Sequence, residues 1–378
     1  MNTSGPRAPG RRKFLKTSCG LSLALAAPMI ITSRKALAAE QLTMLAWYGH
    51  GEPDIVADFE AAHNVKITAK YYTGGDNMMA LVAQSPPGTY DLILSDAEYT
   101  TALQRAGYVE QMDPKDYPLD DYFPEYQHFP GNWDNGKLFS LIIRFGYLGV
   151  SYNTQVVSKS EARSYNILWS KKVKGRVAHF DWALPNLGCL SLKNGNASPG
   201  PYELTNEQWR KLKQTTMSLR SQVRGFYDYG GTLSSLKNGD VVVMAGIGDW
   251  ITGLLQRDGA PVNTVVPDEG GIQWSESYCI GKGTKKYELA KSFIQYITSP
   301  EGQVKSAMMK AYPAMIPTRG GWKLLNEKFP AEAKRQGMVL TGHNVRDLYK
   351  EGLIHFRKWP VNQSLEQWND FWTEYKNA

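Results

Sequence analysis

The chain has 378 residues, 42% of them hydrophobic and 21% charged, enough material for about two ordinary domains. Its formal net charge of +7 invites nucleic acid, but Arg7, Arg11, Arg12, Lys13, Lys16, Arg34 and Lys35 all stand in the first 38 residues, with no acid among them. Taking these seven from the 43 basic residues leaves 36 against 36 acidic ones, so the body of the chain is neutral and carries no basic footprint for nucleic acid.

Residues 1–38 have the layout of an export signal. Arg11-Arg12-Lys13-Phe14-Leu15-Lys16 precedes an apolar run over residues 21–31, and Ala36-Leu37-Ala38 follows as a small-x-small cleavage site. The apolar run is too short for a permanent membrane span. Paired arginines followed by Phe-Leu-Lys resemble the twin-arginine signal, with an ordinary secretory signal as the other reading. Either route predicts a protein that works outside the cytoplasm, in the periplasm. Cys19 lacks the small-residue context of a lipoprotein site. Cys189 and Cys279 are then the remaining cysteines, open to a bridge or to life as two buried thiols. No Cys or His spacing resembles a metal site, and no cofactor is expected.

Residues 42–48 form an apolar strand candidate, and Pro53 opens a helix with Ile55, Val56, Phe59 and Ala62 on one stripe. Residues 65–71 alternate as a strand, 76–84 read as a helix, and 91–94 as a short buried strand. A further helix runs to Ala106, with Gly107 as its stop. This succession predicts a doubly wound α/β lobe with a parallel sheet. A second lobe repeats the grammar. It has a strand at 177–180, a helix capped by Thr205 through Ser221, a strand at 241–247, a helix capped by Asp249 and a strand at 262–266. Residues 138–152 and 270–280 are extended and apolar, and read as two passages between the lobes, which makes a hinge. Helices resume from Glu288, and Ser364 with Gln367 forms a capping box for the last one. The stripe Leu365, Trp368, Phe371, Trp372 and Tyr375 on that helix reads as packing against a lobe. The expected division is lobe 1 at 39–146 plus 275–318, and lobe 2 at 147–274 plus 319–378.

Open α/β sheets bind ligands beyond the carboxyl ends of their strands. The rule selects Trp47, Tyr48 and His50 after the first strand and Asp96, Glu98 and Tyr99 after the third. In the second lobe it selects Asp181, Trp182, Asp249 and Trp250, with Tyr227 as a further candidate. In the crossing segment GGIQWSESYCI, alternation puts Trp274 and Glu276 on one face. Aromatic walls with carboxylates and few cations suit a cationic ligand that has apolar methylenes. Ring faces attract ammonium groups by roughly 0.5 to 2 kcal/mol each, and a carboxylate fixes where the ammonium sits. Arg144 in the first crossing strand has two readings. It pairs with Glu276 or a lobe acid, or it meets a ligand carboxylate.

The segments LAWYGHGEPDIVADFEAAHNVKI, YDLILSDAEYTTALQRAGYVEQMD, GYLGVSYN, LKNGDVVVMAGIGDW and VPDEGGIQWSESYCIGKG carry a resemblance from about Leu42 to Arg319. They are similar to the periplasmic spermidine/putrescine-binding proteins, the solute-binding components of ABC importers. The resemblance implies a two-lobed type II periplasmic-binding-protein fold with two crossing hinge strands. It also implies a polyamine held in the interlobe cleft, an inner-membrane ABC permease as partner, and a monomer. By it Trp274 and Trp47 fall on ligand-contacting aromatics, and Glu276 on an aspartate that contacts the polyamine. Departures are concentrated at the same site. The family's tyrosine after the third strand falls on Glu98, with Tyr99 beside it. The second of two adjacent acids falls on Trp182 after Asp181, a further acid near Pro185, and a tryptophan on Gly248, with Trp250 two residues on.

A binding protein is therefore expected, and not an enzyme. The chain has no Gly-x-Ser-x-Gly elbow, Walker loop or zinc-type His pair. The alternatives are a binder of a zwitterionic amine (an opine, amino acid or aminophosphonate) that uses Arg144 for the acid end, and an exported enzyme.

Overall fold

A computed structural model describes residues 39–378; the export-signal reading of residues 1–38 lies outside the described residues. Among the described residues twelve strands follow in chain order. The first six are β1 (Glu40–Ala46), β2 (Val65–Tyr71), β3 (Leu92–Asp96), β4 (Trp133–Asp134), β5 (Lys137–Leu138) and β6 (Leu141–Asn153). The others are β7 (Val177–Phe180), β8 (Val223–Tyr227), β9 (Val243–Gly248), β10 (Val262–Val265), β11 (Gly271–Ile280) and β12 (Ile354–Phe356). β4 and β5 pair only with each other.

The others form one sheet in the order β2-β1-β3-β11-β6-β9-β7-β8, with β10 on β6 and β12 on β11. Its two wings are parallel, β2-β1-β3 and β9-β7-β8. They are joined by β11 and β6, which run antiparallel to each other and to the wing strands beside them. The two extended segments expected to pass between the lobes are these crossing strands, and they hydrogen-bond to both wings and join them into one sheet. Every residue of β6 and β11 is buried, which is why these segments read as unbroken apolar runs.

The core divides along the same strands. On β6 the packing passes from one cluster at Tyr147 to another at Leu148; on β11 Ile272 and Trp274 lie in the second cluster and Tyr278 in the first. The C-terminal segment is shared. Trp322, Leu325, Ala333, Met338 and Val345 pack with the first wing, whereas Trp368, Phe371, Trp372 and Tyr375 of the last helix pack with the second. The sequence reading placed 319–378 as a whole with lobe 2, since a helical stripe does not name the surface it covers.

Local signals act as chemistry requires. Thr205 and Ser364 each complete a capping box, with Gln208 and Gln367. Gly107 ends its helix at φ +72°. Asp249 is not a cap. The helix Asp249–Arg257 begins on it, and its carboxylate reaches Arg335 Nη1 at 2.5 Å and Nη2 at 3.1 Å. Cys189 and Cys279 are free thiols in different clusters, each pushed up to about 12 by burial.

Candidate functional site

A cavity of about 820 Å³ opens where the two wings meet, walled by strand ends from both. Its centre is built by the crossing strands. Trp274 on β11 faces Gly146 on β6, and a Cβ at Gly146 would come within 2.6 Å of the indole Nε1. Glycine there lets the indole lie flat across the neighbouring strand.

Two positions on, Glu276 lies opposite Arg144 on one side and Asp96 on the other, so the three form a row across β6, β11 and β3. Arg144 Nε is 3.0 Å from Glu276 Oε2, and the His50 ring Nε2 is 3.0 Å from the same oxygen. Tyr312 O–H donates to Oε1 at 2.8 Å. Burial would raise Glu276, but the Arg144 charge and the His50 and Tyr312 contacts hold it below its ordinary value. Burial lowers His50 below its ordinary value against the pull of Glu276; its Nε2–H donates to the Glu276 carboxylate, and its Nδ1 lies 3.2 Å from the Tyr278 hydroxyl. Arg144 is fully buried and donates further to the carbonyls of Ser306 and Tyr312, at 3.2 Å each. Of its two readings, the structure shows the pair with Glu276.

A second ion cluster forms the adjoining wall. β12 lies parallel to β11, and the Arg357 N–H just beyond it donates to the Gln273 carbonyl at 2.9 Å. The Arg357 guanidinium stands 3.0 Å from Asp96, binds Glu98 through Nε, and lies 4.4 Å from the centroid of the Trp182 ring. Burial pushes Asp96 up to about 8 against the opposing pull of Arg357, with the Glu98 and Glu276 charges adding to the rise.

The rest of the wall is largely aromatic. Trp47 lies 4.6 Å from Tyr72 and 6.2 Å from Trp182, ring centre to ring centre. Tyr229 and Trp250 stack at 6.0 Å with 14° between planes. Tyr48, Tyr99 and Phe180 complete it. A Cβ at Gly248 would meet the Tyr147 carbonyl oxygen at 2.1 Å; Trp250, on the next helix, supplies a ring. Asp181 lines the cavity and is held by Lys376 at 2.9 Å and the Trp372 indole N–H at 2.8 Å. Asp76 and Asp228 also line it. Among the described residues neither has a cation partner. Asp76 accepts from the Tyr99 hydroxyl at 3.2 Å and Asp228 from the Gly231 N–H at 2.7 Å.

Trp47, Tyr48, Asp96, Tyr99, Asp181, Trp182, Trp250, Trp274 and Glu276 thus meet at one cavity. Four other candidates stand outside its wall. His50 lies behind Glu276, Glu98 is covered by Arg357, Asp249 is turned to Arg335, and Tyr227 packs in the β7–β9 wing. Several wall residues were missed. Tyr72 to Asn77 follow β2, where the strand-end rule applies equally, and Asp228 and Tyr229 follow β8, a strand not read from sequence. Tyr312 and Arg357 come from the C-terminal segment, where nothing periodic marks them.

Residues 54–330 match the family model described as bacterial extracellular solute-binding protein. The spermidine/putrescine-binding periplasmic protein 1 of Haemophilus influenzae is 23% identical over 286 residues, covering 74% of this chain and 76% of that one. Among solved structures, the spermidine/putrescine ABC transporter substrate-binding protein of Streptococcus pneumoniae superposes with TM-score 0.73 at 16% identity, over 89% of this chain and 99% of that one. A periplasmic binding protein of A. tumefaciens B6 in complex with glucopine superposes with TM-score 0.65 at 16% identity, over 89% and 99%. These likenesses show the two-lobed periplasmic-binding-protein fold.

Proposed function

The chain belongs to the family of bacterial extracellular solute-binding proteins, and we propose that it carries a small cationic amine of the polyamine type to an inner-membrane ABC permease. The observation that carries this reading is the charge of the cavity wall. Five acidic side chains line it, from Asp76, Asp96, Asp181, Asp228 and Glu276, with Asp96 held largely protonated by burial, against the single guanidinium of Arg357. Arg144 and Lys376 offset Glu276 and Asp181 from behind. Asp76 and Asp228 remain to meet an incoming cation, among rings whose faces favour ammonium and whose edges bury methylenes. The polyamine named for the H. influenzae relative agrees with this chemistry.

Calorimetry with putrescine, spermidine, an amino acid and an opine tests the reading. Amines without a carboxylate are expected to bind. Asp228→Asn and Asp76→Asn should each weaken them about tenfold to a hundredfold, the value of one charge-assisted hydrogen bond. Binding of the zwitterions alone, indifferent to both substitutions, refutes it. The glucopine-bound neighbour is the reason to include an opine. The zwitterion reading gives the ligand's acid end to Arg144, and Arg144 is committed to Glu276, Ser306 and Tyr312.

The proposal includes export by the twin-arginine route. Changing Arg11 and Arg12 together to Lys should leave precursor in the cytoplasm. Normal periplasmic accumulation of that variant means the general secretory route instead.

A further inference from the structure

An aromatic face with a carboxylate beside it is the arrangement that holds an ammonium or guanidinium out of water. This arrangement occurs twice at the cavity with a cation of the chain already in it, Arg357 in the wall and Arg144 behind it. The Arg144 guanidinium carbon lies 4.2 Å from the Tyr312 ring centroid and 5.9 Å from that of Trp274, with Glu276 as its carboxylate. The Arg357 carbon lies 4.4 Å from the Trp182 centroid, with Asp96 and Glu98 as its acid partners. Neither is a surface arginine that happened to fold inward, for the two are 0% and 5% exposed. A tethered cation holds its place against a free one because its translational freedom is already lost. Arg144 is secured further by the Ser306 and Tyr312 carbonyls.

What remains for a solute is the part of the wall without a resident cation: Asp76, Asp228, and the rings of Tyr48, Tyr229 and Trp250. Asp96 Oδ2 and Trp274 Nε1 are buried wall atoms with no partner of their own, which points to a polar ligand group beside them. On the reading of the cavity as a cationic-solute site, we infer that Arg144 and Arg357 set its specificity by taking up its acids, Arg357 from within the wall and Arg144 from behind Glu276. The solute selected then carries no more than two positive charges, as a diamine does, and triamines and longer polyamines are disfavoured. A triamine would place a third ammonium against a wall whose other carboxylates are already matched, Glu276 by Arg144 and Asp181 by Lys376. Like charges held together without screening water repel strongly.

The test is a charge series on the unaltered protein, with butylamine, putrescine, spermidine and spermine titrated calorimetrically at constant ionic strength. Affinity should peak at putrescine, with spermidine at least tenfold weaker. Arg357→Gln vacates the position beside Trp182, Asp96 and Glu98, and should move spermidine at least tenfold tighter relative to putrescine. Affinity that climbs steadily with charge in the unaltered protein overturns the inference, as does an Arg357→Gln variant that loses both amines equally. Should that variant fail to fold, the unaltered series decides alone. If no amine in the series binds and a zwitterion does, the cationic-solute reading itself falls. Amines bound without a charge optimum remove only the role given to the arginines.

Discussion

At the scale of single residues, Asp96 connects the cavity to pH. Its carboxyl is pushed up to about 8 by burial, so at neutral pH it is mostly protonated. The folded chain holds this proton more tightly than the unfolded chain, where the group titrates near its ordinary value of about 4. Its contribution to stability is therefore complete below about pH 4 and is lost as pH rises through about 8. A cation arriving beside it favours the ionised form. Binding near neutral pH should accordingly release up to about one proton per ligand, read as a binding enthalpy that changes with the ionisation enthalpy of the buffer. Asp96→Asn should abolish that buffer dependence and flatten the fall in melting temperature across the same window. Equal buffer dependence in the variant would assign the proton to another group.

At the scale of elements, the pairing of β6 with β11 positions the site. Gly146 and Trp274 are register partners, and the indole occupies the space a Cβ would need. Gly146→Ala should force the ring out of the wall and cost about 1–3 kcal/mol as an overpacked core does. Chemical denaturation measures the loss, and the tryptophan emission should shift with it. Adding Trp274→Phe to Gly146→Ala should recover part of the stability, because the smaller ring leaves room. No recovery in the double variant would place the strain elsewhere, in the backbone of β6. The row Arg144–Glu276–Asp96 across three strands has the same origin: register alone brings together one cation and two acids far apart in sequence.

At the scale of the whole molecule, the two wings share only a few continuous elements, and the cavity lies between them. We propose that the lobes close on ligand by rotation about the crossing strands near Gly146–Tyr152 and Gly270–Cys279, a hinge of the kind that small conformational changes in a few residues allow. Small-angle scattering should show a smaller radius of gyration at saturating ligand. An unchanged radius under saturation counts against a closing cleft. Tyr48 is 55% exposed while lining the cavity, so it is a ring that closure would cover.

What the sequence determined by itself is local. Alternation placed Trp274 and Glu276 on one wall, strand ends located seven more of the cavity's residues, and Ser/Thr caps and Gly107 marked helix limits, because backbone geometry repeats every few residues. Tertiary structure decided which charges are free. Glu276 reads from sequence as a ligand acid and is bound to Arg144, 132 positions earlier, and to His50, 226 positions earlier. Glu98 meets Arg357 from 259 positions away. Asp76 and Asp228, unremarked in the sequence, are the wall acids without a resident cation among the described residues. Whether a carboxylate is spent depends on a distance of a few ångström and on burial, and Coulomb attraction has no sequence period that alternation or spacing could reveal.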